Sequence, residues 1–418
     1  MMQLINKVIQ IILTVVLLSI STACSLMDTY DEAKLIESKS IISGFVKVEN
    51  GDIKSVYVRL YQKKTTQLEL VSQMALNSDG SYQFDVLPGS YLTAAYVDEN
   101  DNQQYEKEEP GIYLGYKEHR FDFVDISQSQ NKVLPNLIIT GAINSVYPGE
   151  LYESLNLITR NIGKVINLDD SIFEADKVSL GLWQPLSFVE EVGGGLMLLQ
   201  SYDYTKTPVI FVHGVLGSPR DFKAIISNLN LDAFQPWVLY YPSGARLDMV
   251  SDYLLNALNQ LHNEYGFPEV HIVSHSMGGL MSRSFLIKQQ TKSSFDISLF
   301  VSINSPLYGM DSAASGVNHS PIVIPSWRDV ASDSEYIKKI HNWYLPPEIP
   351  YHLIFSYLKG EDGDGVVSLS SQLSESLQDE AIKIYGFNAQ HAEVLKLPEL
   401  IVRLNQIMAD PMMRSIEN

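Results

Sequence analysis

Between residues 178 and 410, short and almost wholly apolar runs alternate with longer stretches of helical period. This alternation narrows the possible folds more than any other feature. Pro208–Val212 (PVIFV) contains no polar side chain, as a strand covered on both faces requires. Trp237–Tyr241, Val270–Val273, Leu299–Ile303, Leu353–Tyr357 and Ile382–Tyr385 are further strands. Leu182–Leu186 and Leu196–Leu199 read as strands flanking Gly193–Gly195, with Pro185 confining the first to an edge. Between them lie helices. Phe222, Ile225, Ile226 and Leu229 fall on one helical face, with Ser218 as cap and Pro219 in the first turn. Leu254, Leu258 and Leu261 mark another, which Gly266 can end. Leu280–Ile287 and roughly residues 392–407 complete the set. Strand–helix alternation of this kind predicts an α/β layer structure with a mainly parallel sheet.

The sharpest local signal is Val273-Ser274-His275-Ser276-Met277-Gly278-Gly279, between a predicted strand and a predicted helix. It resembles the G-x-S-x-G nucleophile elbow of α/β-hydrolases, in which a serine sits on a strained turn and its neighbours must be small. Ser274 stands where the motif has glycine. The resemblance implies an α/β-hydrolase fold over 178–410, with Ser276 as nucleophile. His213-Gly214-Val215, after the PVIFV strand, resembles the loop that supplies one oxyanion-hole N–H in lipases and esterases. By position the two donors would be the N–H groups of Val215 and Met277. His213 itself reads as structural. The Asp-Gly-Val-Val element beginning at Asp364 resembles the acid loop of bacterial lipases, with Asp362 as the alternative acid. The family's histidine follows the last strand, which selects His391, and the order Ser276, Asp364, His391 is that of the family. His275 adjoins the nucleophile and points elsewhere on this reading. The segment 307–350 is an expected cap. Its Leu307, Met310, Ile324, Trp327, Trp343 and Tyr344 suggest an apolar wall for an acyl pocket.

Residues 41–140 differ in pattern. Val56, Val58 and Leu60 alternate with Tyr57, Arg59 and Tyr61, and turn pairs such as Asp79-Gly80 and Pro88-Gly89 punctuate the stretch. This predicts an all-β sandwich. The run Ser81–Tyr91 resembles carboxypeptidase regulatory-like sandwiches. Residues 141–177 are the expected linker between the two domains.

At the N-terminus, Lys7 precedes the apolar run Val8–Ile20, which is shorter than the roughly 20 residues a spanning helix needs. Ser21-Thr22-Ala23 then leads into Cys24, the one cysteine of the chain. Residues 1–23 read as a signal peptide. Ser21–Cys24 resembles the lipobox of bacterial lipoproteins, with Ser21 where the family usually has leucine. That implies lipidation at Cys24, export, and anchoring in the bacterial cell envelope, on the outer membrane in the absence of an acidic residue after the cysteine. Residues 24–40 are then an expected tether.

The formal net charge of −19 gives no general attraction for phosphate backbones, which argues against a nucleic-acid partner. A single cysteine cannot form an internal disulfide or a Cys-based zinc site. No metal or nucleotide motif occurs, so no cofactor is expected. The expected activity is hydrolysis of a small-molecule or lipid carboxylic ester through an acyl-enzyme. An acyltransferase or thioesterase using the same triad, or a non-catalytic glycan-binding lipoprotein, are the rival expectations.

Overall fold

The computed structural model describes residues 26–49, 55–63, 68–77, 79–100, 105–106, 108–117, 120–140, 153–155, 161–290 and 295–412. Cys24 and the signal-like segment lie outside the described residues. The larger domain is built on a seven-stranded sheet. Its spatial order is Gly195–Leu198, Phe234–Tyr240, Thr207–Val212, Glu269–His275, Asp296–Ile303, Tyr351–Tyr357 and Lys383–Asn388. The first pair is antiparallel and every later pair is parallel.

The apolar runs explain this layout. Along Thr207–Val212, Ile210 and Val212 join one core while Val209 and Phe211 join another on the opposite face. A strand with two buried faces cannot form a tight hairpin to a parallel neighbour, so helices carry the chain across. The helix Leu247–Tyr265 does this with Val250, Leu254, Leu258 and Leu261 buried, and ends at Gly266 with a left-handed φ of 68°. The segment 307–350, the expected cap, contains the helices Asp311–His319, Pro325–Val330 and Glu335–His341.

Several expectations are corrected. Leu182–Leu186 is not a strand but the junction of the helices Ala175–Trp183 and Pro185–Glu191. Pro185 sits at the start of the second, where its missing N–H costs nothing. The helix expected over 222–229 is a 3₁₀ turn, Pro219–Phe222, followed by one α-turn, Lys223–Ile226. Packing of this domain reaches back to residue 161, ahead of 178. Asn161 Nδ2 donates to Gly194 O at 2.8 Å, and Ile166 and Phe173 are buried.

The expected tether is also partly structured. Residues 26–37 form a helix that buries Thr29, Ala33 and Ile36. Its Glu32 accepts the N–H of Leu186 at 2.7 Å and a bond from the Ser187 hydroxyl. The helix Pro185–Glu191 has no side-chain cap of its own, so Glu32 serves as its N-terminal acceptor from 154 residues away. Glu37 pairs with Arg246 at 3.2 Å and Arg328 at 3.4 Å.

Within 40–140 most of the described strands form two sheets, with a separate two-stranded ribbon of Tyr116–Lys117 and Arg120–Phe121. One sheet contains Ser40–Val48, Ser81–Val86, Asn131–Val133 and Leu137–Ile139. The other is built around Val56–Lys63, Leu68–Ala75 and Gly89–Val97. Ile42, Tyr82 and Phe84 of the first share a core with Val58, Leu60 and Ala95 of the second.

Candidate active site

The strand Glu269–His275 ends at a turn that its neighbours force to be sharp. Ser276 adopts φ 53°, ψ −130°, in the positive-φ range that a non-glycine residue rarely enters. A Cβ on Gly278 would meet the carbonyl oxygens of Val212 and His213 at 2.5 and 2.6 Å, so this position must be glycine. Gly214 lies against the serine turn itself, where a Cβ would meet Ser276 Cβ at 2.7 Å. Ser274, in the place of the motif's first glycine, is fully buried, and its hydroxyl pairs with that of Ser282 at 2.6 Å. A small residue one turn into the helix Met277–Gln289 thus accommodates the larger strand residue.

Ser276 is 5% exposed at the carboxyl edge of the sheet. The loops after Tyr351–Tyr357 and Lys383–Asn388 bring Asp364 and His391 to the same edge. His391 Nδ1 donates to Asp364 Oδ2 at 2.7 Å, and the His391 N–H donates to Asp364 O at 3.1 Å. Asp364 is 1% exposed, and its other oxygen accepts the N–H groups of Val366 (2.9 Å) and Val367 (2.8 Å). Burial pushes the Asp364 carboxyl up, but the bonds from His391 and the two backbone donors outweigh it and hold the group below its ordinary value. Asp362 is exposed and takes no part in this pair. Among the described residues no hydrogen bond joins Ser276 Oγ to His391. Likewise, neither the Val215 nor the Met277 N–H is engaged by a protein acceptor.

Two positioning contacts escaped the sequence reading. His275 Nε2 donates to the His391 carbonyl at 3.1 Å, and Asn304 Nδ2 donates to the same oxygen at 3.0 Å. Asn304 follows the strand Asp296–Ile303 with φ 49° and is fully buried. An asparagine at a strand's carboxyl end, able to tolerate left-handed backbone, was the available signal. His275 does not point away as expected. Burial first, then the neighbouring His391, pushes its pKa down to about 3, so it stays a neutral donor. His213 is structural in the described geometry: Nδ1 donates to Gly214 O at 2.8 Å and Nε2 accepts the Tyr241 N–H.

The cap's apolar residues mostly face inward. Leu307 and Ile324 are buried, Met310 packs on the main core, and Trp343 lies over the Arg283 guanidinium at 5.2 Å. Arg283, itself 1% exposed, donates to Glu380 through two nitrogens (2.7 and 2.8 Å) and to the carbonyls of Ile340 and Trp343. It thereby ties the cap and the helix Glu375–Glu380 to the helix that follows Ser276. Among the described residues no group of three His, Cys, Asp or Glu side chains could hold a metal ion.

The strand order, the strained serine turn and the edge loops define an α/β-hydrolase fold. The profile of a family described as "Alpha/beta hydrolase of unknown function (DUF915)" matches residues 242–405. Solved structures similar to this chain include the product of gene lin2722 from Listeria innocua, at 18% identity over 51% of this chain and 96% of that one, with a TM-score of 0.39. The Bacillus licheniformis lipase BlEst2 in mature form is 15% identical over 51% of this chain and 95% of that one, TM-score 0.41. The Pyrococcus furiosus esterase Pf2001 is 16% identical over 50% and 84%, TM-score 0.37. Comparison with curated protein sequences gave no match.

Proposed function

We propose that this chain is a serine hydrolase of carboxylic esters. The observation that carries the reading is the strained Ser276 turn at the same sheet edge as the Asp364–His391 pair. In this mechanism Ser276 Oγ attacks the ester carbonyl carbon and its proton passes to His391 Nε2, while Asp364 holds the Nδ1–H tautomer and stabilises the imidazolium. The unengaged N–H groups of Val215 and Met277 receive the oxyanion, a contribution of about 100- to 1,000-fold per donor in comparable sites. Collapse expels the alcohol, which takes the proton from His391. Water, deprotonated by His391, then hydrolyses the acyl-enzyme and frees Ser276. The Ser276–His391 bond closes with substrate in place, as catalytic hydrogen bonds often tighten only in the Michaelis complex.

The test is hydrolysis of short p-nitrophenyl esters by the wild type and by Ser276→Ala. Turnover lost in the variant with the fold retained supports the reading, and equal turnover in both overturns it.

We further propose that Cys24 is lipidated and anchors the enzyme in a bacterial envelope, supported by the short apolar run and the Ser21–Cys24 sequence before it. Wild-type protein then partitions with membranes and Cys24→Ser does not. Soluble wild-type protein would contradict this.

A further inference from the structure

The acid loop has a second side. Asp364 faces His391, whereas Val366 forms part of the wall of a cavity of about 920 Å³. The Val366 N–H also donates to Asp364 Oδ1, so one short loop serves both the proposed triad and this cavity. The facing wall is the start of the cap at Tyr308–Ser312 and its end at His341 and Tyr344. Residues 368–379 complete it.

The lining has a consistent chemistry. Hydroxyls dominate, among them Ser312, Ser332, Ser370, Ser374 and Ser376. Three carboxylates, Asp311, Glu375 and Asp379, join them, and no lysine or arginine does. Glu375 and Asp379 lie four residues apart on one short helix, and neither is paired among the described residues. Like charges at that spacing repel each other, and ligand donors would relieve them. Tyr308 and Tyr344, both lining the cavity, are 50% and 73% exposed, which leaves flat ring surface with a polar tip open to a ligand. Most of the cap's apolar residues, which would have suited a long acyl chain, are spent on the core instead, and only Met310 of its aliphatic residues also reaches this cavity.

We propose that this cavity binds a hydroxyl-rich, sugar-like alcohol portion of the ester, with the acyl group directed to Ser276; the inference rests on the serine-esterase reading. Serine hydroxyls donate and accept, and carboxylates accept strongly from ligand hydroxyls. The C–H face of a pyranose suits an exposed tyrosine ring. An alkyl chain in the same place would desolvate carboxylates without giving them partners. An anionic group would meet three like charges in a protein already at −19. A cationic alcohol would satisfy the carboxylates but offer nothing to the serine hydroxyls beyond the bonds they make within the protein, such as Ser332 to Asp311 and Ser374 to Ser376.

Kinetics and binding test this separately. A panel of acetylated methyl hexosides should be cleaved with kcat/KM at least tenfold above that for ethyl acetate. Tyr344→Ala and Glu375→Gln, both exposed positions, should each shrink that ratio at least fivefold. A ratio near one, or acetylcholine outrunning every hexoside, would overturn the proposal. Binding is read on Ser276→Ala protein by saturation-transfer NMR with the same hexosides. A signal that is lost on adding Tyr344→Ala supports the cavity assignment. No signal for any hexoside overturns it, whatever the wild-type enzyme does to other esters. Binding without turnover of any ester in the wild type would leave the cavity standing and sink the esterase reading instead.

Discussion

At the Ser276 turn, steric crowding on one short motif decides the geometry. At the cap and the N-terminal helix, the deciding atoms are far apart in the chain. Ser276 and Gly278 meet the passing backbone of Val212 and His213, about 65 residues earlier, and the small residues this crowding demands stand in adjacent letters of the sequence. The cap is held by Arg283 to the carbonyls of Ile340 and Trp343 across 57 and 60 residues, and the N-terminal helix by Glu32 to Leu186 across 154. The first arrangement is steric and has no substitute. The second is polar and modular, and each contact can be removed alone. On the proposed mechanism the chemistry sits on the first, while the second holds the cap and the N-terminal helix in place.

The largest expected effect breaks the edge itself. Asp364→Asn keeps the size of the side chain but cannot hold the His391 tautomer, so kcat/KM for a p-nitrophenyl ester should fall on the order of 10⁴-fold. Asp362→Asn, at an exposed position, should change it less than about twofold. A reversal of the two would move the acid.

Next comes the cap clamp. Arg283→Met leaves Glu380 in a buried site without its cation, and breaking such a pair typically costs about 3–5 kcal/mol. Urea denaturation should register a loss of that order. A loss below about 1 kcal/mol would show that the Arg283 cluster does not clamp the cap and the helix Glu375–Glu380.

Acid should also loosen the sheet edge. Burial pushes His213 from 6.5 down to about 4. Because the folded pKa is depressed, the unfolded chain takes up the proton first as pH falls below about 6.5. Stability is therefore lost between about 6.5 and 4, on the order of 3 kcal/mol from this group. Denaturation midpoints across that range should fall less steeply in His213→Asn. Identical slopes would contradict a buried neutral His213.

How much of this was readable in advance follows the same division. PVIFV and its counterparts announced a doubly covered sheet because each strand's burial is encoded in consecutive residues. The Ser276 turn was readable for the same reason, and chain order then led to Asp364 and His391. Leu182–Leu186 misled because a short apolar run has no period of its own, and Pro185 fits a helix start as well as an edge strand. The 26–37 helix was hidden by its narrow stripe of Thr29, Ala33 and Ile36 among charges whose partners lie far away. His275 and Asn304 were missed because their shared target is a backbone carbonyl, which leaves no mark in a sequence.

The smallest effect concerns that helix. Glu32→Ala removes the acceptor at the start of Pro185–Glu191, and losing a cap typically costs about 1 kcal/mol. Hydrogen exchange should quicken in 26–37 and 185–191 while the rest of the large domain keeps its protection. Unchanged exchange in both segments would show that Glu32 does not hold them together.

The central claim is that Ser276 is an activated nucleophile. Treatment with a fluorophosphonate probe, followed by peptide mass spectrometry, tests it without knowledge of the substrate. One adduct on Ser276, absent from Ser276→Ala and strongly slowed in His391→Ala, is the predicted result. No adduct on the folded wild type, or labelling that persists in Ser276→Ala, would contradict it.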